Sequence, residues 1–136
     1  MLRERALLLR SIRIFFDARE VLEVETPVLS QHATVDRHIE SFKTLKDSWL
    51  QTSPEFAMKR LLCADAGSIW QICKVFRLEE AGRHHNPEFT MLEWYRPDFD
   101  HHQLMDEVEA LLRHCGVEVP FAFERISYRD AFLRHA

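Results

Sequence analysis

The chain has 136 residues, of which 46% are apolar, and 18 Lys and Arg against 22 Asp and Glu give a formal net charge of −4. That length allows one modest core, and the slight acidity excludes a protein whose main task is coating nucleic acid, while local cations can still bind phosphate. Cys63, Cys73 and Cys115 are odd in number, widely spaced and outside any C-x-x-C pattern, which excludes a disulfide framework or zinc knuckle.

From Leu2 to about Ala18 apolar residues recur at helical spacing, with Leu2, Ala6, Leu9, Ile12 and Phe16 forming a stripe that Leu8 and Phe15 widen. So broad a stripe fits contact on two sides, one of them with a partner chain, or a core helix of a monomer; both readings stand. Val21 to Pro27 alternates like a strand, with Pro27 confined to an edge or end because it cannot donate to a ladder. Further strands are expected over 39–45 and 49–52. A helix should follow from Pro54 to about Ala64, with Ser53 as N-cap and Pro54 in its first position.

Residues Ile69 to Arg77 read as a strand and Phe89 to Arg96 as a second one. The segment between them carries Glu79, Glu80, Arg83, His84, His85 and Glu88, and is too long and too charged for a simple hairpin turn of about 2–5 residues. A loop of that kind on a rigid pair of strands points to binding. Asp100 with Gln103 forms a capping box for a helix bearing Leu104, Val108, Leu111 and Cys115, which Gly116 should stop. Ser127 with Asp130 can start a last short helix, still amphipathic where the 136 residues end. No apolar run approaches the roughly 20 residues of a membrane helix, and Arg3, Glu4 and Arg5 lead into no signal-cleavage pattern, so a cytoplasmic protein without a membrane partner is expected.

Strand alternation places Phe89, Met91, Glu93 and Tyr95 on one face and Thr90, Leu92, Trp94 and Arg96 on the other. The first face mixes aromatic rings with a carboxylate and a phenol, which suits the floor of a pocket for a flat ring and a cationic or polar group. Arg77 ends the preceding strand, where a guanidinium can donate two parallel hydrogen bonds to phosphate or carboxylate. Taken singly, each feature has a simpler reading. Arg77 could pair with Glu79 or Glu93, Ser53-Pro54-Glu55 is an ordinary helix start, Phe89 and Tyr95 are ordinary core aromatics, and His84-His85 is a solvated loop. Asp100 with His101 and His102 reads as capping and exposure, and no metal is assigned to the protein itself.

Together, Phe76-Arg77-Leu78-Glu79, the variable loop and Phe89 resemble motif 2 of the class II aminoacyl-tRNA synthetases, and Leu22-Glu23-Val24-Glu25-Thr26-Pro27 resembles their motif 1. Ser53-Pro54-Glu55, Met58-Lys59-Arg60-Leu61 and His85 to Met91 are similar to the lysyl branch. Glu79 to Arg83 and Leu92 to Pro97 are similar to its stand-alone paralogues, which pass (R)-β-lysine to a lysine of elongation factor P.

The resemblance implies an α+β fold, a class II synthetase-like antiparallel sheet flanked by helices, truncated before motif 3. It places motif 1 at about 8–29 and motif 2 at about 75–96, with no anticodon-binding domain. It implies that Arg77 grips the ATP α-phosphate and substrate carboxylate during adenylate formation, that Leu78, Glu79 and Asn86 hold the nucleotide, and that Phe89 stacks on adenine. His85, with Arg83 or His84, would reach the outer phosphates. Ser53, Pro54 and Glu55 would line the amino-acid site, Glu55 meeting an ammonium group, and Tyr95 would bond the amino acid's polar end. ATP enters as substrate, with Mg2+ accompanying it. The implied partners are (R)-β-lysine or lysine, elongation factor P as acceptor and a second copy of the chain through motif 1, with no tRNA. Glu20 stands where the family turns with Gly, which strains the junction if φ is positive. Without motif 3, the 136 residues are expected to be inactive alone and to leave an open sheet edge and apolar face. A fragment of lysyl-tRNA synthetase and a non-catalytic binding module that stops at Ala136 are the alternatives.

Overall fold

The computed structural model describes residues 1–78, 82–83, 85–118 and 123–135. The chain divides into two compact units, one formed by Met1–Phe15 with Asp100–Ala136 and the other by Phe16–Phe99. Among the described residues no helix is long and apolar enough to cross a membrane.

The second unit is built on a three-stranded sheet in the order β1 (Leu22–Glu23), β4 (Ile69–Phe76), β5 (Glu88–Tyr95). Aromatic and β-branched residues fill β4, and Ile69, Trp70 and Val75 are buried in it. β4 and β5 run antiparallel from Ile69↔Tyr95 to Phe76↔Glu88. β1 pairs with β4 in parallel, through Leu22↔Ile69 and Glu23↔Trp70, so the sheet is mixed where an antiparallel one was expected. A parallel pair needs a long crossover. The segment between Glu23 and Ile69 supplies it, and contains β2 (Leu29–Ser30), β3 (Trp49–Leu50) and α2 (Glu55–Cys63).

The strand expected over Val21 to Pro27 shortens to β1. Val24 N still donates to Trp70 O at 2.8 Å, and Thr26 then turns to the Gln71 side chain. The strands expected over 39–45 and 49–52 reduce to the isolated bridge Lys43↔Trp49 and to β3, which pairs with the unexpected β2. Single bonds hold these segments, including Leu50 N to Phe42 O at 2.9 Å and Gln51 N to Val28 O at 3.0 Å. On one face of the sheet Phe16 stacks on Trp70 with centroids 4.9 Å apart and meets Trp94 at 5.6 Å.

The helix α1 (Leu2–Asp17) matches the expected span. Its stripe is buried only toward the C-terminal end, at Ile12, Phe15 and Phe16, while Leu2, Leu7, Leu8 and Ile14 are exposed. In the first unit Phe15 lies 5.5 Å from the ring of His114, at the end of α3 (His101–His114), and Ser11 Oγ donates to His114 O at 3.3 Å. Glu107 and Leu111 are the buried residues of α3, whereas Leu104 and Val108 of the expected stripe are exposed. The Asp100–Gln103 capping box forms as expected, both bonds at 2.9 Å. α4 (Tyr128–His135) starts on Ser127, whose Oγ donates to Asp130 and accepts from its amide.

Three helices end in one geometry. After α1 the amide of Glu20 donates to Asp17 O and that of Val21 to Phe16 O. After α2, Asp65 donates to Leu62 O and Ala66 to Leu61 O. After α3, Gly116 donates to Arg113 O and Val117 to Leu112 O. Each is the paired Schellman pattern, which needs a left-handed residue at the turn. The residues there are Glu20 at φ 55°, Asp65 at φ 62° and Gly116 at φ 80°. Gly116 stops α3 as its sequence suggests, and φ at Glu20 is positive, which meets the condition for strain at that junction.

Candidate functional site

The site lies on one face of the β4–β5 hairpin. Because opposed residues in a ladder project to the same side, the register puts Ile69, Gln71, Cys73 and Val75 with Tyr95, Glu93, Met91 and Phe89. The face inferred from alternation in β5 is therefore continued across β4.

At its centre is Glu93. Tyr95 Oη donates to Glu93 Oε1 at 2.7 Å, and Ser53 Oγ donates to Glu93 Oε2 at 2.7 Å. Ser53 reaches this carboxylate because it precedes α2 by one more residue than its sequence suggests. Pro54 is the N-cap and makes no side-chain cap, and the Ser53 hydroxyl accepts from Glu55 N at 3.1 Å. The expected order of Ser53 as cap and Pro54 as first helical residue is thus displaced by one. The rigid, buried Pro54 fixes the turn between the hydroxyl and the helix. Glu55 lies in the first turn of α2, and its carboxylate pairs with Lys59 one turn on.

Burial, the bond to Glu93 and the charges of Glu93 and Glu55 push the Tyr95 hydroxyl well above the usual phenol range, so it stays a donor. Burial and then the Glu93 charge push the nearby Cys73 thiol up to about 11, against a smaller opposing effect of its bond with Gln51. Ser53, Glu55, Glu93 and Tyr95 thus make a polar, anionic cluster suited to an ammonium-bearing group.

A second cluster lies toward the other end of the hairpin. The Arg77 guanidinium sits over the Phe89 ring, 5.1 Å from its centroid, and its Nε donates to Thr52 O at 3.3 Å. Arg77 N donates to Pro87 O at 2.8 Å, which extends the ladder one pair past Phe76. Leu78 N donates to Glu40 O at 2.9 Å, so that amide is already committed within the fold. Gly82 and His85 pair through both backbone bonds in the connection, where His85 and Asn86 are exposed. Among the described residues no hydrogen bond ties the His85 or Asn86 side chain to either cluster. Glu79 and His84 lie outside the described residues.

Sequence reasoning placed Glu93 on this face, as the carboxylate of a pocket floor, but did not name it among the binding residues. Its signal was a lone carboxylate between Met91 and Tyr95. Gln71 gave none. It is buried in β4, where its amide donates to Thr26 Oγ1 at 2.9 Å and its carbonyl accepts from Thr26 N at 3.2 Å. This bond anchors the stretch before Pro27 to the strand that carries the site. Among the described residues no group of three or more His, Cys, Asp or Glu side chains is gathered to hold a metal.

The family model described as tRNA synthetases class II (D, K and N) matches residues 1–135. Similar curated proteins include elongation factor P–(R)-β-lysine ligases from Photobacterium profundum, 51% identical over 98% of this chain, from Pseudoalteromonas translucida, 54% over 96%, and from Vibrio cholerae, 55% over 97%. The chain spans 43% of the length of each of these relatives.

Proposed function

Because the chain belongs to the class II tRNA synthetases of the D, K and N group, we propose that it forms part of an ATP-dependent ligase that activates a lysine-type amino acid as its adenylate. The relatives' name extends this proposal to transfer of (R)-β-lysine to a lysine of elongation factor P.

The observation that carries the reading is the bonded chain Tyr95–Glu93–Ser53 on the face that also bears Arg77 over Phe89. Forming an adenylate brings a carboxylate against an anionic α-phosphate, which a fixed guanidinium at Arg77 makes less costly. Phe89 offers a flat surface for adenine, with Leu78, Glu79, His85 and Asn86 contributing to nucleotide binding from the connection. At the other end, Glu55 and Glu93 supply the negative charge that the ammonium groups of the amino acid require. Ser53 and Tyr95 orient the Glu93 carboxylate, and Pro54 fixes the turn. Residues 8–29 serve as motif 1, with a homodimer forming there, and 75–96 as motif 2.

The test is ATP–pyrophosphate exchange by the intact gene product, with (R)-β-lysine and lysine compared, followed by the mass of elongation factor P after incubation with each. Exchange and a mass increase on elongation factor P support the reading. Aminoacylation of tRNA in its place identifies a lysyl-tRNA synthetase, and absence of exchange identifies a binding module.

A further inference from the structure

The amine site proposed above already holds an ammonium group belonging to the chain itself. Lys59 projects from α2 one turn after Glu55 and its Nζ pairs with Glu55 Oε1. The hydrogen bonds reach the Glu55 backbone, and the Glu55 side chain carries the ion pair. Tyr95 donates to Glu93, Ser53 donates to Glu93 and accepts from the Glu55 amide, and the Glu55 carboxylate takes Lys59.

We propose that Lys59 is the resident counter-cation of this site, occupying Glu55 until an ammonium-bearing substrate displaces it. The proposal rests on the amine-site reading and adds to it a competitor for substrate within the chain. Lysine and β-lysine each carry two ammonium groups, and the site carries two carboxylates, Glu55 and Glu93. While Lys59 remains on Glu55, one of the two is neutralised. The bond to Glu55 and its charge raise the Lys59 pKa, burial opposes them weakly, and Glu93 adds a further attraction, so the ammonium stays charged and within the field of both carboxylates. Lys59 is also able to leave. Its side chain is 54% exposed on a flexible four-carbon stem, so withdrawal into water strands no buried charge.

A purely structural helix pair would make the opposite prediction. If Lys59 only held Glu55 in position, removing its charge would weaken amine binding. If it competes, removal strengthens binding by about two- to threefold, the scale of an exposed ion pair one helical turn apart.

The experiment is ATP–pyrophosphate exchange by the intact gene product with whichever of lysine and (R)-β-lysine it activates, comparing the wild type with Lys59→Met, which keeps the stem, and Lys59→Arg, which keeps the charge. At low ionic strength Lys59→Met is expected to lower the KM for that amino acid by about two- to threefold, with the shift carried by KM rather than kcat, and salt should narrow the difference. Lys59→Arg should return the KM to the wild-type value. An unchanged or raised KM in Lys59→Met overturns the role of Lys59 while leaving the amine site standing. A wild type that binds ATP but shows exchange with neither lysine nor (R)-β-lysine overturns the amine-site reading, and this inference with it.

Discussion

Ser53 Oγ and Glu93 Oε2 meet at 2.7 Å across a separation of 40 residues, joining the start of α2 to the middle of β5. The bond orients a carboxylate that Tyr95 holds from its other oxygen, so both oxygens are positioned before any ligand arrives and each keeps a further lone pair to accept from one. Ser53→Ala is expected to leave Glu93 held on one side only. In the intact gene product the KM for the lysine-type amino acid should rise by about tenfold, the scale of one charge-assisted hydrogen bond, while the KM for ATP stays within about twofold. Parallel increases in both constants would show that Ser53 supports the whole fold and not the amine site.

In the proposed reaction Arg77 would serve charge that develops only as the adenylate forms. Arg77→Lys keeps the charge but loses the planar fork and the stacking on Phe89. Adenylate formation should slow by about 100-fold or more in pyrophosphate exchange, with a smaller effect on amino-acid binding. Equal loss in kcat and in amino-acid affinity would assign Arg77 to ground-state binding instead.

Gln71 and Thr26 satisfy one another inside the fold, and both are nearly inaccessible to water. Gln71→Leu is similar in size but strands the Thr26 amide and hydroxyl. The expected loss is about 2–3 kcal/mol in urea unfolding. A loss below about 0.5 kcal/mol would mean that the stretch before Pro27 finds other partners.

The left-handed helix ends make a prediction of opposite signs at two positions. Glu20 carries a side chain at φ 55°, whereas Gly116 at φ 80° carries none. Glu20→Gly should stabilise by about 0.5–1 kcal/mol through relief of that strain, offset in part by the greater freedom of glycine in the unfolded chain. Gly116→Ala should destabilise by about 1 kcal/mol for φ alone, since the added Cβ meets nothing within 4 Å. Thermal melts of the two variants check the pair, and a shared sign would contradict it.

Where a local rule governs, the residues announced their structure. Asp100 and Gln103 cap α3 because the two partners are three residues apart. The alternation from Phe89 to Tyr95 predicts a shared face, and the register with β4 keeps it. Other features depend on what the chain meets far away. β1 is parallel because the crossover returns β4 beside it, a matter of topology that Leu22 and Glu23 do not encode. Ser53 looked like a helix cap because its local pattern is that of one, and its hydroxyl does accept from the Glu55 amide, but only the arrival of Glu93 gives that hydroxyl an acceptor for its own proton. Glu20 and Asp65 hide two Schellman turns behind side chains that normally avoid them. In the candidate site the residue types were legible, while the bond that joins them was not.

Cys73 offers a reading of the site by pH. Its thiol is raised from 9.0 to about 11 by burial and then by the Glu93 charge, and this is a neutral-form preference. At pH 8 the thiolate should therefore be about 100-fold scarcer than in the unfolded chain, and alkylation by iodoacetamide correspondingly slower in buffer than in urea. The linkage has a definite sign. Folding holds the proton more tightly than the unfolded chain does, so the stability contributed by the neutral thiol is fully present below about pH 9 and lost as pH rises toward about 11. Tyr95, raised from 10.0 by burial first and then by Glu93, adds to the same alkaline loss. Removing the Glu93 charge should move both groups down. Glu93→Gln is expected to speed Cys73 alkylation at pH 8 to 9 relative to the wild type, read by mass spectrometry of the Cys73 peptide, and an unchanged rate would mean that burial alone sets the thiol.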